Sequence, residues 1–160
     1  MKVIKKQTNS KMCIICGIET EAGVKASFYE MEDNSVIALF SFKDIHQSYP
    51  QRTHGGMISA MLDETIGRAI WVFEPNTWGV TANLQIKFRK PVPYNTPLKA
   101  IGNITENKSR LFKGVGRIET ISGELLAEAE ATYVKLPLSK ISDTNHDDVN
   151  IYIQDYIKEI

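Results

Sequence analysis

Val80, Ala82, Leu84, Ile86 and Phe88 alternate with Thr81, Asn83, Gln85, Lys87 and Arg89. Side chains two apart share one face of an extended chain, so this strict period of two predicts a strand over 80–90 with one face buried. PVPYNTP (91–97) must then be a connection. Upstream, KASFYEM (25–31) and SVIALFSF (35–42) read as strands, with a turn at Glu32-Asp33-Asn34 between them. Downstream, three more strands are predicted at 98–106, 111–121 and 124–136, and Ser122-Gly123 joins the last two as a tight hairpin. Helix propensity favours ELLAEAEA within the last run. However, Leu125, Ala127, Ala129, Ala131 and Tyr133 alternate with polar positions, and the hairpin needs a strand there.

The segment 55–73 breaks the period of two and is the one long, convincing helix, stopped by Glu74-Pro75-Asn76. At about 100° per residue, Met57, Ile58, Met61, Leu62, Ile66, Ala69 and Val72 cover more than half its circumference, and Ala60 and Trp71 extend that surface. Such a helix is expected to be buried nearly all round. Two strands, one helix and four more strands with short links make an α+β domain: an antiparallel sheet of five to six strands wrapped around one long central helix. The domain is expected over 18–136, after a variable lead-in at 1–17. A polar tail, 137–160, ends in NIYIQDYIKEI, which suits a short terminal helix.

The helix carries two adjacent acids. Glu64 is one turn from Arg68, an i,i+4 pair with a structural purpose. Asp63 has no such partner: Ser59 and Gly67 lie one turn away, with Gly56 and Ala60 nearby, and these small residues leave a gap beside it. A carboxylate next to a gap can meet a ligand and act as a base. The alternative is an aspartate satisfied by the Ser59 hydroxyl or by a partner chain. Gly55 and Gly56 open the helix, where the first amides lack intrahelical partners and small side chains let a polarised carbonyl approach.

Composition narrows the function classes. The 160 residues suit one domain. Nineteen basic and nineteen acidic residues cancel, with no long block of like charge, so no nucleic acid and no membrane surface is expected as a partner. No apolar run suits a signal peptide or approaches the roughly 20 residues of a membrane helix, which predicts a soluble cytoplasmic protein. Cys13 and Cys16 form CxxC followed by Gly17, half of a tetrahedral zinc set; His46, His54 and His146 show no ligand spacing. An unreactive loop with reduced thiols is the first reading, with metal shared between subunits or redox chemistry as alternatives.

HGGMISAMLD (54–63), a histidine and two glycines followed after six residues by an acid, resembles the signature of hotdog-fold acyl-CoA thioesterases of the PaaI-like, phenylacetic-acid-degradation type. VTANLQIKFRKPVP resembles the strand after the central helix in that superfamily, and the resemblance covers roughly 18–136. It implies hydrolysis of an acyl-CoA thioester with no metal and no bound cofactor, coenzyme A being part of the substrate. It also implies Asp63 as general base or nucleophile, the Gly55 N–H as oxyanion donor, and Thr81 placing the water. Gln47 is implied as an assisting amide, although some relatives carry the amide one residue later, where Ser48 stands here. His54 is implied to shape the loop more than to transfer protons. Gly56 and Ser59 would line the substrate site, and Arg89, Lys90, Arg110, Lys108 and Lys113 are candidates for the phosphates of coenzyme A. Trp71, Phe73, Trp78 and Met57 are candidates for the acyl pocket, with core packing an equal explanation of all four. Homodimers pairing edge to edge, often doubled into homotetramers, would build sites at the subunit interface. The alternatives are another hotdog acyl-thioester enzyme, a hydratase or dehydratase, or a non-catalytic acyl-CoA-binding module.

Overall fold

The computed structural model describes residues 1–143 and 146–160. Its strands are β1 (Val3–Lys6), β2 (Ser27–Met31), β3 (Val36–Phe40), β4 (Trp78–Phe88), β5 (Leu98–Asn107), β6 (Leu111–Thr120) and β7 (Leu125–Leu136). Helix α1 (Gly55–Arg68) lies between β3 and β4 and tightens into a 3₁₀ turn at Ala69–Val72; α2 (Leu138–Ile141) is a single turn. One antiparallel sheet has the order β1-β2-β3-β5-β6-β7-β4. Because β3 pairs with β5, the crossover through α1 carries β4 to the far edge, where only β7 pairs with it.

The alternation in 124–136 wins over helix propensity, as expected: Ala127, Ala129, Ala131 and Tyr133 of β7 face the core. Gly123 turns the β6–β7 hairpin with a φ of +92°, a conformation that suits a residue without Cβ. Phe28, Phe42, Met61, Leu62, Ile66, Ile70, Leu98 and Phe112 are all buried between helix and sheet. The helix can lie close to the sheet because the central strands present glycines beneath it. A Cβ on Gly102 would stand 2.7 Å from the Thr65 carbonyl oxygen, and one on Gly116 would stand 2.7 Å from Ile66 Cγ1. Gly102→Ala therefore pushes on backbone, which cannot swing aside. A loss of about 1–3 kcal/mol is expected, read as a lower denaturant midpoint at unchanged slope. An unmoved midpoint would mean that the helix rides farther from the sheet.

Three sequence expectations need correction. The sheet has seven strands, because residues expected in the lead-in supply β1, which pairs with β2. The segment 150–160 is extended rather than helical. Asn9 and Ile151 exchange backbone hydrogen bonds of 2.7 and 2.9 Å, and the Val3 N–H donates to the Lys158 carbonyl at 2.8 Å. Asp155 is gripped by Lys6 at 2.7 Å and by the Tyr29 hydroxyl at 2.6 Å. A short isolated helix is marginal, whereas an extended tail finds backbone partners along the otherwise open edge at β1. Finally, α1 is not buried all round, and β4 does not keep one buried face, because its register against β7 shifts between Thr81 and Asn83 and turns Thr81 rather than Val80 toward the helix. Gly56 is exposed and Ala60, Asp63 and Gly67 are half-covered, forming a stripe along one flank. Val80 is 40% and Phe88 55% exposed. A lone sheet curls over only one side of its helix, and an outermost strand has a neighbour on one edge only.

Candidate active site

Asp63 sits on the half-covered stripe of α1, facing the cross-strand pair Thr81 of β4 and Tyr133 of β7. Residues directly opposite in an antiparallel pair share a face, so both hydroxyls converge on the helix. The Thr81 hydroxyl lies 2.8 Å from Asp63 Oδ1 and 3.1 Å from Oδ2. The Tyr133 hydroxyl is shared between the Asp63 carbonyl at 2.9 Å and Oδ1 at 3.1 Å. Among the described residues no cation pairs with Asp63. Two neutral donors orient its carboxylate.

The sequence reading missed Tyr133. Its ring stacks on Phe112 with centroids 4.7 Å apart and 11° between planes. The ring also passes so near Gly67 that a Cβ there would stand 3.3 Å from Tyr133 Cε1. The gap beside Asp63 thus admits an aromatic from β7. The inward alternation of β7 signalled a buried Tyr133, but its meeting with Asp63, 70 residues away, is set only by the fold. Burial, followed by the Asp63 charge and the hydrogen bond to it, pushes the Tyr133 hydroxyl far above the usual tyrosine range, so it remains a donor. Ser59 is not the partner of Asp63: its hydroxyl donates to the Gly55 carbonyl at 2.7 Å.

Asp63, Thr81 and Tyr133 line a cleft of about 200 Å³, together with Glu64, Trp71 and Trp78. The two tryptophans meet edge to face at 5.2 Å. Phe73 and Met57 lie outside this lining. A larger hollow of about 290 Å³ opens on the outer face of the sheet, among Lys87, Arg117, Glu128 and Glu130. It brings no hydroxyl-held acid together, and chemistry is better sought in the smaller cleft.

At the helix start His54 is the N-cap, and its Nδ1 accepts the Gly56 N–H at 2.9 Å. That amide is occupied, while the Gly55 N–H meets no acceptor among the described residues. Gln47 bridges Thr53 at the base of the preceding loop, and its Oε1 is 3.4 Å from the Tyr94 hydroxyl. Gly55 and Asp63 are eight residues apart on one helix, or about 12 Å along its axis. Within one chain they do not meet at the same reacting atom.

The basic candidates divide. Arg89 pairs with Glu128, Lys90 with Glu124 at 2.5 Å, and Lys108 and Lys113 both with Glu106. Of these five, only the exposed Arg110 has no ion pair among the described residues. Glu64 pairs with Arg68 at 2.8 Å, as its spacing predicts. Glu64 also stands beside the CxxC turn, where Cys13, Cys16 and Glu64 bring three possible ligand atoms within 4.8 Å of one another. The Cys16 thiol and nearby amides donate to the Cys13 sulfur and lower it to about 7; that same bond and burial push Cys16 up. No helix among the described residues is long and apolar enough to cross a membrane.

Residues 51–127 match the family model described as thioesterase superfamily. The chain is 28% identical over 116 residues to acyl-coenzyme A thioesterase THEM4 of Mus musculus, covering 72% of this chain and 49% of that protein. It thus spans about half the length of this curated relative. A crystallised thioesterase superfamily protein superposes with a TM-score of 0.70 at 24% identity, covering 76% of this chain and 59% of its own. PaaI of E. coli, from the phenylacetic acid degradation operon, superposes with a TM-score of 0.63 at 13% identity, covering 71% and 80%. These structural likenesses establish the fold, one antiparallel sheet around one central helix, as the hotdog expected from sequence.

Proposed function

We propose, from the premise that residues 51–127 carry a thioesterase-superfamily domain, that this chain hydrolyses acyl-coenzyme A thioesters. The observation that supports this most is an Asp63 carboxylate held by Thr81 and Tyr133 at a cleft, with no cation among the described residues to neutralise it. The similar mouse protein is an acyl-coenzyme A thioesterase by name.

Asp63 acts as general base. It takes a proton from a water whose oxygen attacks the thioester carbonyl carbon; the C–S bond then breaks and the coenzyme A sulfur receives the proton. Direct attack by the carboxylate, giving an anhydride that water opens, is the variant of the same scheme. Thr81 and Tyr133 hold the carboxylate, and Thr81 is placed to orient the water. The carbonyl oxygen lies against a Gly55 N–H, with Gln47 assisting, while His54 and Gly56 shape the turn and Ser59 braces it.

Because Gly55 and Asp63 of one chain are about 12 Å apart, the site joins Asp63 and Thr81 of one copy to the glycine turn of another. The exposed edge of β4, with Val80 and Phe88, is where the copies meet. A homodimer is the minimum assembly, with a homotetramer as its doubling. Arg110 is the favoured contact for coenzyme A phosphates, since Arg89 and Lys90 would first have to release carboxylates.

The test is chromatographic detection of free coenzyme A from a panel of short, medium and aromatic acyl-CoAs. Release from none of them defeats the proposal. Hydration of an enoyl-CoA would point to a hydratase, and tight binding without turnover to a binding module. Tyr133→Phe keeps the ring stack but removes one donor to a charged group, commonly about 1.5–3 kcal/mol. A fall in kcat/KM of about 10-fold or more is expected from steady-state kinetics, with the Phe112 contact intact.

A further inference from the structure

We infer that Cys13, Cys16 and Glu64 form a binding site for a divalent metal ion of the zinc class. The two sulfurs and a Glu64 oxygen all lie within 4.8 Å of one another. Zinc takes sulfur at about 2.3 Å and carboxylate oxygen at about 2.0–2.2 Å, which sets S and O about 3.6 Å apart at a tetrahedral angle. Cys13 Sγ and Glu64 Oε2 are 3.7 Å apart. This set could not be read from spacing, because the third ligand arrives on α1, 51 residues from Cys13.

Hydrogen-bond donors face both sulfurs. The N–H groups of Ile15 and Cys16 point at Cys13 Sγ from 3.3 and 3.5 Å. The Gly17 N–H closes the turn onto the Cys13 carbonyl at 2.8 Å. A Cβ on Gly17 would stand 2.3 Å from that carbonyl oxygen, so the tight turn needs glycine after the second cysteine. Cys16 Sγ is met by Arg68 Nη2 at 3.1 Å. Donors of this kind orient and tune ligands in metal sites.

Glu64 divides its oxygens, Oε1 going to Arg68 at 2.8 Å and Oε2 facing Cys13. A divalent ion that displaces both thiol protons meets two sulfurs and a carboxylate beside one guanidinium, and the assembled site is then neutral. Thiolate ligands favour zinc over magnesium or calcium. Cys13 is half-exposed, so solvent can supply the fourth ligand. The ion staples residues 13–17 to the helix one residue from Asp63, and the site stands independently of the hydrolase reading.

The test uses the full chain, purified reduced, stripped with a chelator and titrated with Co²⁺. One Co²⁺ per chain is expected, with a thiolate-to-cobalt charge-transfer band, intense tetrahedral visible bands, and bleaching by Zn²⁺. The paired change Cys13→Ser with Cys16→Ser should abolish the charge-transfer band. Glu64→Gln should keep it while weakening affinity about 10-fold or more. Circular dichroism establishes that each variant folds. If the buried Cys16 does not tolerate substitution, Cys13→Ala alone should remove most of the band. A reduced chain that binds no Co²⁺, an octahedral spectrum without charge transfer, or unchanged affinity in Glu64→Gln each overturns the site. So does a Cys13–Cys16 disulfide that, once reduced, yields thiols without metal affinity.

Discussion

Asp63→Asn is expected to lower kcat/KM for acyl-CoA hydrolysis by at least about 100-fold, the lower end of what a positioned general base contributes. Asparagine has the shape of aspartate, and its carbonyl oxygen can still accept from Thr81 and Tyr133, which lie 2.8 and 3.1 Å from Oδ1. What it cannot do is take a proton from water or attack a carbonyl. Thermal unfolding should therefore stay near the parent value while turnover collapses. The neighbouring acid is the internal control. Glu64→Gln removes an ion pair with Arg68, so it should alter stability and leave the rate within a few-fold of the parent. If Asp63→Asn kept full turnover while Glu64→Gln lost it, the base would be Glu64 and the assignment would be wrong.

These two acids also mark what the sequence could reveal. The Glu64–Arg68 pair was legible because a helix sets contacts four residues apart by its own geometry. The strands were legible because alternation is local as well, and it overrode helix propensity in β7. Of the partners of Asp63, Thr81 was reached only through the family resemblance and Tyr133 not at all, because both meet it through the pairing of β4 with β7, which brings together residues 18 and 70 positions away. Small residues around Asp63 announced a gap but not its occupant. Nor does a period of two announce a bulge: the register of β4 against β7 shifts between Thr81 and Asn83, so Thr81 turns to the helix with Tyr133 while Val80, expected on the face of Leu84 and Ile86, is exposed opposite Val134. Gly55 and Gly56 were legible as the start of the helix, whereas the occupation of the Gly56 amide by His54 depends on a side-chain rotamer.

Arg68→Ala is expected to cost about 3–5 kcal/mol, the range for stripping one partner from a buried ion pair. Arg68 is 7% exposed and sits at the end of α1. Its guanidinium bonds Glu64 at 2.8 Å, the Thr8 carbonyl at 2.9 Å and Cys16 Sγ at 3.1 Å. It also lies over the Phe28 ring at 4.4 Å and near the Trp71 ring at 5.0 Å. Truncation leaves Glu64 without its ion-pair partner, the Thr8 carbonyl without its donor, and a cavity between two aromatic rings. The charge and the volume can be separated. Arg68→Met fills much of the space but strands Glu64, and adding Glu64→Gln removes the stranded charge. Urea unfolding with excess chelator, which keeps metal out of the comparison, should show the double variant more stable than the sum of the single losses. Coupling should be about 1–3 kcal/mol, as for residues in direct contact. Additive losses, or a loss under 1 kcal/mol for Arg68→Ala, would mean that Arg68 fills space without anchoring the N-terminal segment through its charge.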